Sequence, residues 1–237
     1  MANSIAIVGD SGTGKSTSMG QLPDLGIQGL NPDETFIINV KGKPLPFRGW
    51  KSKYKEVNLE QGPPTEGNYL ATTDTAVIIK VLSFIDRSRP DIKNVILDDG
   101  QYIMSEEFMA NALKSGYDKF NRMAKNMFDV VNTGINMKKD TNFILMIHED
   151  EEDGKTKIKT LGKMLDDKVN LAGLFTVVLY TTTKTSSQGT TYHFVTNKYI
   201  DDRGIHVMAK SPVGMFEDKL ITNDLGNVIE TINKFNN

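Results

Sequence analysis

Residues 9–16 read Gly-Asp-Ser-Gly-Thr-Gly-Lys-Ser, directly after the apolar run Ser4-Ile5-Ala6-Ile7-Val8. This is the pattern G-x-x-x-x-G-K-[ST], a Walker A loop, and its position constrains the fold more than any other feature of the chain. A strand that empties into a glycine-rich turn and then a helix gathers backbone N–H groups around one point, where the helix dipole also favours negative charge. Such a nest binds polyphosphate. Gly9, Gly12 and Gly14 permit the turn and the close approach of backbone to phosphate, and Asp10, Ser11 and Thr13 complete the loop. Lys15 is expected to reach the β- and γ-phosphates, and Ser16 to offer its hydroxyl to Mg²⁺. Thr17 is a second hydroxyl just inside the expected helix.

Length and composition narrow the setting. The chain has 237 residues, enough for one large domain spanning 1–237 with a sizeable core. It has no cysteine and three histidines, so disulfides, thiolate metal sites and a cysteine nucleophile are excluded, and a structural zinc site is not expected. No signal peptide is expected at the N-terminus, and no apolar run reaches the ~18–20 residues needed to cross a bilayer. The expected location is cytoplasmic, with no membrane partner. The net charge of −2 makes the surface as a whole a poor partner for polyanions, so any nucleic-acid site must be a local patch.

Along the chain, apolar runs alternate with helical patterns, which predicts an α/β fold with a mostly parallel sheet flanked by helices. Strands are expected at 4–8, 35–40, 56–59, 94–97, 142–147, 175–181, 191–196 and 205–209. Helices are expected from Lys15 to near Pro23, over 72–88, in two pieces between 101 and 139 broken at Gly116, around 166–174, and at the C-terminus. Phe120, Met123, Met127, Val131 and Ile135 recur at helical spacing, which reads as core rather than a binding groove. Leu225, Val228, Ile229, Ile232 and Phe235 form the stripe of the closing helix. Asp153-Gly154 and Gln188-Gly189 read as hairpin turns, the latter giving a C-terminal β-hairpin extension.

Val95-Ile96-Leu97-Asp98-Asp99 has the form of a Walker B element: buried β-branched residues, then an acid at the carboxyl end of a strand, where ligands of open α/β sheets sit. Asp98 is the expected Mg²⁺-side acid. Asp99 either polarises the attacking water or caps the next helix. At the end of Phe143–Ile147 stand His148 and Glu149. His148 is either a γ-phosphate sensor or a surface histidine, and Glu149 is an alternative base. The acids 149–153 read as a solvated loop that would not lie on a phosphodiester backbone. The basic stretch Lys41, Lys43, Arg48, Lys51, Lys53 and Lys55, interleaved with Phe47, Trp50 and Tyr54, contains no acid. It reads either as a single-strand groove, with cations on phosphates and rings on bases, or as a solvated loop whose aromatics plug the core. Lys210 is either a surface lysine or a basic residue reaching a neighbouring subunit's nucleotide.

Taken in order, these motifs resemble the phage-encoded RecA-like P-loop ATPases that include the Sak-type single-strand annealing proteins, pared-down RecA/Rad51 cores. The matching residues are Gly9–Ser16, Thr35-Phe36-Ile37-Ile38-Asn39-Val40, Lys43-Pro44-Leu45-Pro46 and Ile96-Leu97-Asp98-Asp99. They continue with Ile147-His148-Glu149, Leu161-Gly162-Lys163-Met164, Ala209-Lys210-Ser211-Pro212 and Ile221-Thr222-Asn223-Asp224-Leu225. The resemblance implies a RecA-like core, ATP and Mg²⁺ as cofactors, ATP hydrolysis and a homo-oligomer. It also implies phage DNA recombination or replication in the host cytoplasm, with single-stranded DNA and a single-strand-binding protein as partners. RecA-type cores place a glutamate just after the second strand, where this chain has Lys41, so the base passes to Asp99 or Glu149, or hydrolysis is slow. Two further classes are an ATP-gated switch acting on protein partners and a small-molecule kinase. The second is disfavoured by the scarcity of arginines.

Overall fold

Four apolar runs build the centre of the molecule: β1 (Asn3–Val8), β2 (Thr35–Asn39), β4 (Asn94–Asp98) and β5 (Asn142–Ile147). They are buried over nearly their whole length, as expected for parallel strands covered on both faces. The computed structural model describes residues 2–113, 115–138, 140–162, 165, 169–187 and 189–237. The remaining strands are β3 (Tyr69–Ala71), β6 (Glu149–Glu152), β7 (Lys155–Ile158), β8 (Val177–Ser186), β9 (Gly189–Val195), β10 (Tyr199–Ile200), β11 (His206–Val207) and β12 (Leu220–Thr222). The helices are α1 (Trp50–Lys53), α2 (Thr75–Ser88), α3 (Gln101–Ala110), α4 (Asp118–Ile135) and α5 (Leu225–Asn236).

The main sheet runs β12-β9-β8-β1-β5-β4-β2-β3. From β8 to β3 the pairing is parallel; β9 and β12 are added antiparallel as the C-terminal hairpin extension. The Walker A strand β1 is flanked by β5 and β8, and the Walker B strand β4 lies one place further out. This is the expected α/β arrangement, a mostly parallel sheet flanked by helices. A smaller sheet, β10-β11-β7-β6, stands beside it.

Register is pinned at the amino ends by a ladder of amides. Asn3 donates to Asn142 across 2.9 Å, Asn142 to Asn94 across 2.8 Å and Asn94 to Thr35 across 3.4 Å. Each is at or beside the first residue of its strand. A one-residue slip would bury these groups unpaired and turn every apolar side chain to the wrong face.

Period-two alternation divides the core. Ala6, Val8, Phe36, Ile38, Val95, Leu97, Phe143 and Leu145 face α2 and α4. Ile5, Ile7, Ile37, Ile96, Ile144 and Met146 face Met19, Phe47, Tyr54 and α5. Met123, Met127 and Val131 of α4 are buried, so the methionine stripe is core. Asp74 caps α2 through the N–H groups of Ala76 and Val77, and Pro90 follows its end.

Several expectations are corrected. The helix after Lys15 is one 3₁₀ turn, Ser16–Met19, ended by Gly20. At Gly20 a β-carbon would lie 2.7 Å from the Phe47 ring, so the space a longer helix would fill belongs to residues 45–54 and α5. The strand expected at 56–59 is a single bridge from Glu56 to Tyr69, and the third parallel strand is β3. The acids 149–152 form strand β6 rather than a loop. The strand expected at 205–209 is reduced to His206–Val207. Leu225, Val228, Ile229 and Ile232 are buried, but Phe235 is exposed. Of the helix expected at 166–174, residues 171–174 form a 3₁₀ turn; residues 166–168, with Lys163, Met164 and Gln188, lie outside the described residues.

Candidate functional site

The loop 9–16 leaves β1 at the carboxyl edge of the sheet. Its shape depends on glycine where the sequence places it. Gly12 and Gly14 have φ of +79° and +95°, the left-handed region that disfavours side chains. Gly9 is needed for space: a β-carbon there would sit 1.8 Å from Thr181 Oγ1. Thr13 Oγ1 donates to Asp10 O across 2.7 Å and accepts from Thr181 Oγ1 at 2.5 Å, so β8 braces the loop from one side. From the other, Asn223 Nδ2 donates to Thr13 O at 3.4 Å, and a β-carbon on Gly14 would meet Asn223 Nδ2 at 2.7 Å and Tyr192 Cδ1 at 2.8 Å.

Lys15 is buried, and its Nζ donates to Gly9 O and Asp10 O, each across 2.8 Å. Burial lowers its pKa, while Asp99, Asp98, Asp10 and Glu149 act to raise it, so the ammonium stands among four carboxylates. Ser16 Oγ lies 3.0 Å from both carboxylate oxygens of Asp98. Asp98 is 4% exposed, and burial followed by the neighbouring Asp99 charge pushes its pKa up to about 6. A hydroxyl against a buried carboxylate, beside phosphate-cradling N–H groups, is the oxygen donor set that Mg²⁺ takes when it also binds substrate phosphates. Among the described residues no group of three or more acids or histidines is placed to hold a metal ion by itself. Walker A and Walker B residues, 82 positions apart in sequence, thus meet at one point.

The tips of β4 and β5 complete the site. Asp99 has φ of +60° and does not cap α3; the cap position is Gly100, with no side-chain bond. Instead Asp99 Oδ2 accepts from Lys43 Nζ at 2.9 Å, and Oδ1 lies 3.9 Å from His148 Nε2. Of the two roles open to Asp99, the geometry removes the cap. His148 is half-buried, and burial and then the Lys15 charge lower its pKa. Its backbone N–H donates to Gln101 Oε1 at 3.3 Å. Gln101 Nε2 is buried with no partner among the described residues. Glu149 follows, with its N–H on Gly9 O at 3.3 Å, and its carboxyl is raised by burial and by Asp10.

The basic segment does not form one face. Lys41 pairs with Glu106, and Lys41 and Lys43 lie 5.2 and 4.9 Å from the centre of the Tyr102 ring, at the carboxyl end of the sheet. Lys53 and Lys55 border a groove with Asn31, Asn68 and Arg89 at the amino end. Phe47 and Tyr54 are buried, and the Trp50 ring packs against Tyr69 at a tilt of 44°, with ring centres 5.3 Å apart. The aromatics therefore serve the core, while Arg48 and Lys51 remain exposed. Lys210 is half-buried in a cleft beside β7 and β8, with its backbone bridged to Val178.

Sequence reasoning missed the roles of Thr181, Tyr192 and Gln101. Thr181 is one threonine in a run of three, with nothing to mark it. Asn223 stood in a motif without a role, and only its approach to Gly14 supplies one.

No protein-family model matches the chain, and no curated protein matches it in sequence. Among solved structures it is similar to a KaiC-like protein of the hyperthermophilic archaeon Pyrococcus horikoshii, at 11% identity and a TM-score of 0.43, over 87% of this chain and 88% of that one. Among the described residues no helix is long and apolar enough to cross a membrane.

Proposed function

We propose that this chain is a Mg²⁺-dependent ATPase that works on single-stranded DNA as a homo-oligomer, in phage recombination or replication. The observation that carries the nucleotide reading is the contact of Ser16 Oγ with Asp98 at 3.0 Å, beside buried Lys15. It joins a phosphate cradle to an acid that can hold a cation next to it. When bound, Mg²⁺ would polarise the terminal phosphate and offset its charge. Lys15 would exchange two loop carbonyls for phosphate oxygens. Asp99 is the residue best placed to orient water, because its backbone turns it away from α3 and toward His148. The DNA setting rests on the motif resemblance.

A second reading is favoured by one observation. Asp99 is engaged by Lys43, and Lys41 stands where RecA-type cores carry glutamate. Both features suit slow turnover and an ATP-gated switch acting on protein partners.

ATP turnover with and without oligothymidylate, with Lys15→Ala as the control, tests the proposal. DNA-stimulated turnover that disappears in the variant supports the ATPase. Turnover retained in Lys15→Ala removes the site, and turnover indifferent to DNA favours the switch.

A further inference from the structure

Lys210 follows the short strand β11, and its backbone bridges to Val178. It lines an open cleft of about 510 Å³ between the β6–β7 hairpin, Tyr180 of β8 and residues 170–173. Lys155 and Lys198 line the same cleft. None of these three ammonium groups makes an ion pair or side-chain hydrogen bond with a described residue, although unpaired lysines in one concavity repel each other. Among the described residues two acids line the cleft, and one of them is already paired. Glu152 is taken by Lys157 at 2.8 Å, and Asp153 sits at the tip of the hairpin. Of the other acids in the run, Glu149 adjoins the loop 9–16 through Gly9, and Glu151 lies 4.0 Å from Arg203.

We propose that this cleft holds the phosphodiester backbone of a single nucleic-acid strand, bound through Lys155, Lys198 and Lys210. The proposal rests on the DNA reading above and moves its site away from residues 41–55. An open groove suits a chain that passes through it better than an enclosed small molecule. Among the described residues the only aromatic ring lining it is Tyr180, which is buried, so the cleft offers charge rather than a stacking platform, and binding is sequence-tolerant. Partial burial lowers the pKa of Lys210, and an anion beside it would offset that loss of solvation. The cleft also adjoins the nucleotide site. Tyr180 pairs with Val8, the residue before the loop, and β6 begins at Glu149, bonded to Gly9. A strand in the cleft thus touches elements that carry the phosphate cradle.

The test is fluorescence anisotropy of labelled oligothymidylate across a salt series. The proteins are wild type, Lys155→Gln/Lys198→Gln/Lys210→Gln, and Lys51→Gln/Lys53→Gln/Lys55→Gln, each with a thermal melt to establish folding. Three neutralised phosphates give a logarithmic salt slope of roughly −2 in the wild type, at about −0.7 per phosphate. The cleft variant should lose that slope and at least tenfold in affinity, while the 51–55 variant keeps both. Unchanged binding by the folded cleft variant, loss confined to the 51–55 variant, or no binding by wild type overturns the proposal. So does equal affinity for inorganic polyphosphate, which would make the cleft a general anion site. Binding of a fluorescent ATP analogue is measured in parallel. Its absence from wild type would sink the nucleotide reading, while intact ATP binding by a cleft variant that has lost DNA isolates the cleft.

Discussion

Lys43 Nζ lies 2.9 Å from Asp99 Oδ2, an ion pair that joins the turn after β2 to the turn after β4 across the mouth of the phosphate site. Asp99 pairs from a left-handed backbone, φ +60°, which aspartate and asparagine tolerate better than most residues. Asp99→Asn therefore keeps the backbone and removes only the charge. It should lower kcat by ~10²-fold with a smaller effect on KM, the size of a lost positioned base. Lys43→Met should raise kcat several-fold by freeing the carboxylate. Steady-state turnover measures both. A tenfold fall in Lys43→Met would instead assign the ammonium to the phosphates.

Gly9 and Thr181 form a second pair. With a β-carbon 1.8 Å from Thr181 Oγ1, Gly9→Ala must displace either β8 or the loop. Overpacking of this kind costs about 1–3 kcal/mol, and ATP affinity should fall at least tenfold. Thr181→Ala alone should have a modest effect, and the double variant should recover part of the loss. Melting curves and ATP titrations over this cycle check it; strict additivity would show that the contact is not what restricts position 9.

Asp98 makes the metal-free fold depend on pH. Its carboxyl is raised to about 6 in the folded protein, whereas in the unfolded chain it ionises near pH 4. Between these values the folded state holds the extra proton, so stability falls as pH rises and stays low above about 6. Asp98→Asn removes the penalty. In chelator, the variant should be more stable than wild type at pH 8 by on the order of 2 kcal/mol, and equal to it near pH 3.5. It should also lose Mg²⁺-dependent turnover. Urea unfolding at the two pH values decides the first point.

Asp224 is fully buried. Its carboxylate accepts from the N–H groups of Gln28 at 2.7 Å, Gly29 at 3.0 Å and Gly226 at 2.9 Å. It caps α5 and ties that helix to the loop behind the 3₁₀ turn at Ser16–Met19. Asp224→Ala would leave several buried donors unpaired, so a loss on the order of 3 kcal/mol is expected in chemical denaturation. Asp224→Asn should cost less, since one amide oxygen still accepts.

Much of this was legible in the sequence, for local reasons. The parallel strands announce themselves as unbroken apolar runs because both faces are covered. The loop 9–16 is legible because only glycine tolerates its backbone at positions 12 and 14. Asp98 could be assigned because acids at strand ends sit where ligands approach a parallel sheet. Other features depended on partners distant in sequence. The residues after Lys15 carry enough helix formers to suggest a longer helix, but Gly20 meets Phe47 and the helix stops. Phe47 and Tyr54 interleave with cations as a binding surface would, yet the space left by that short turn draws them into the core. Glu149–Glu152 look like a solvated run until β7 pairs with them.

The sequence by itself determined the glycine-rich turn at 9–16, the parallel strands and the position of Asp98 and Asp99 at a strand end, since each follows from bond geometry and burial within a few residues. Only the tertiary structure decided that Thr181 and Asn223 clamp the loop, that Asp99 faces Lys43 rather than α3, and that Lys155, Lys198 and Lys210 share one cleft. Those relationships span tens to hundreds of residues, and what sets them is the pairing of β2 with β4, the addition of β8, β9 and β12 to the sheet and the placing of the smaller sheet beside it, which no local pattern encodes.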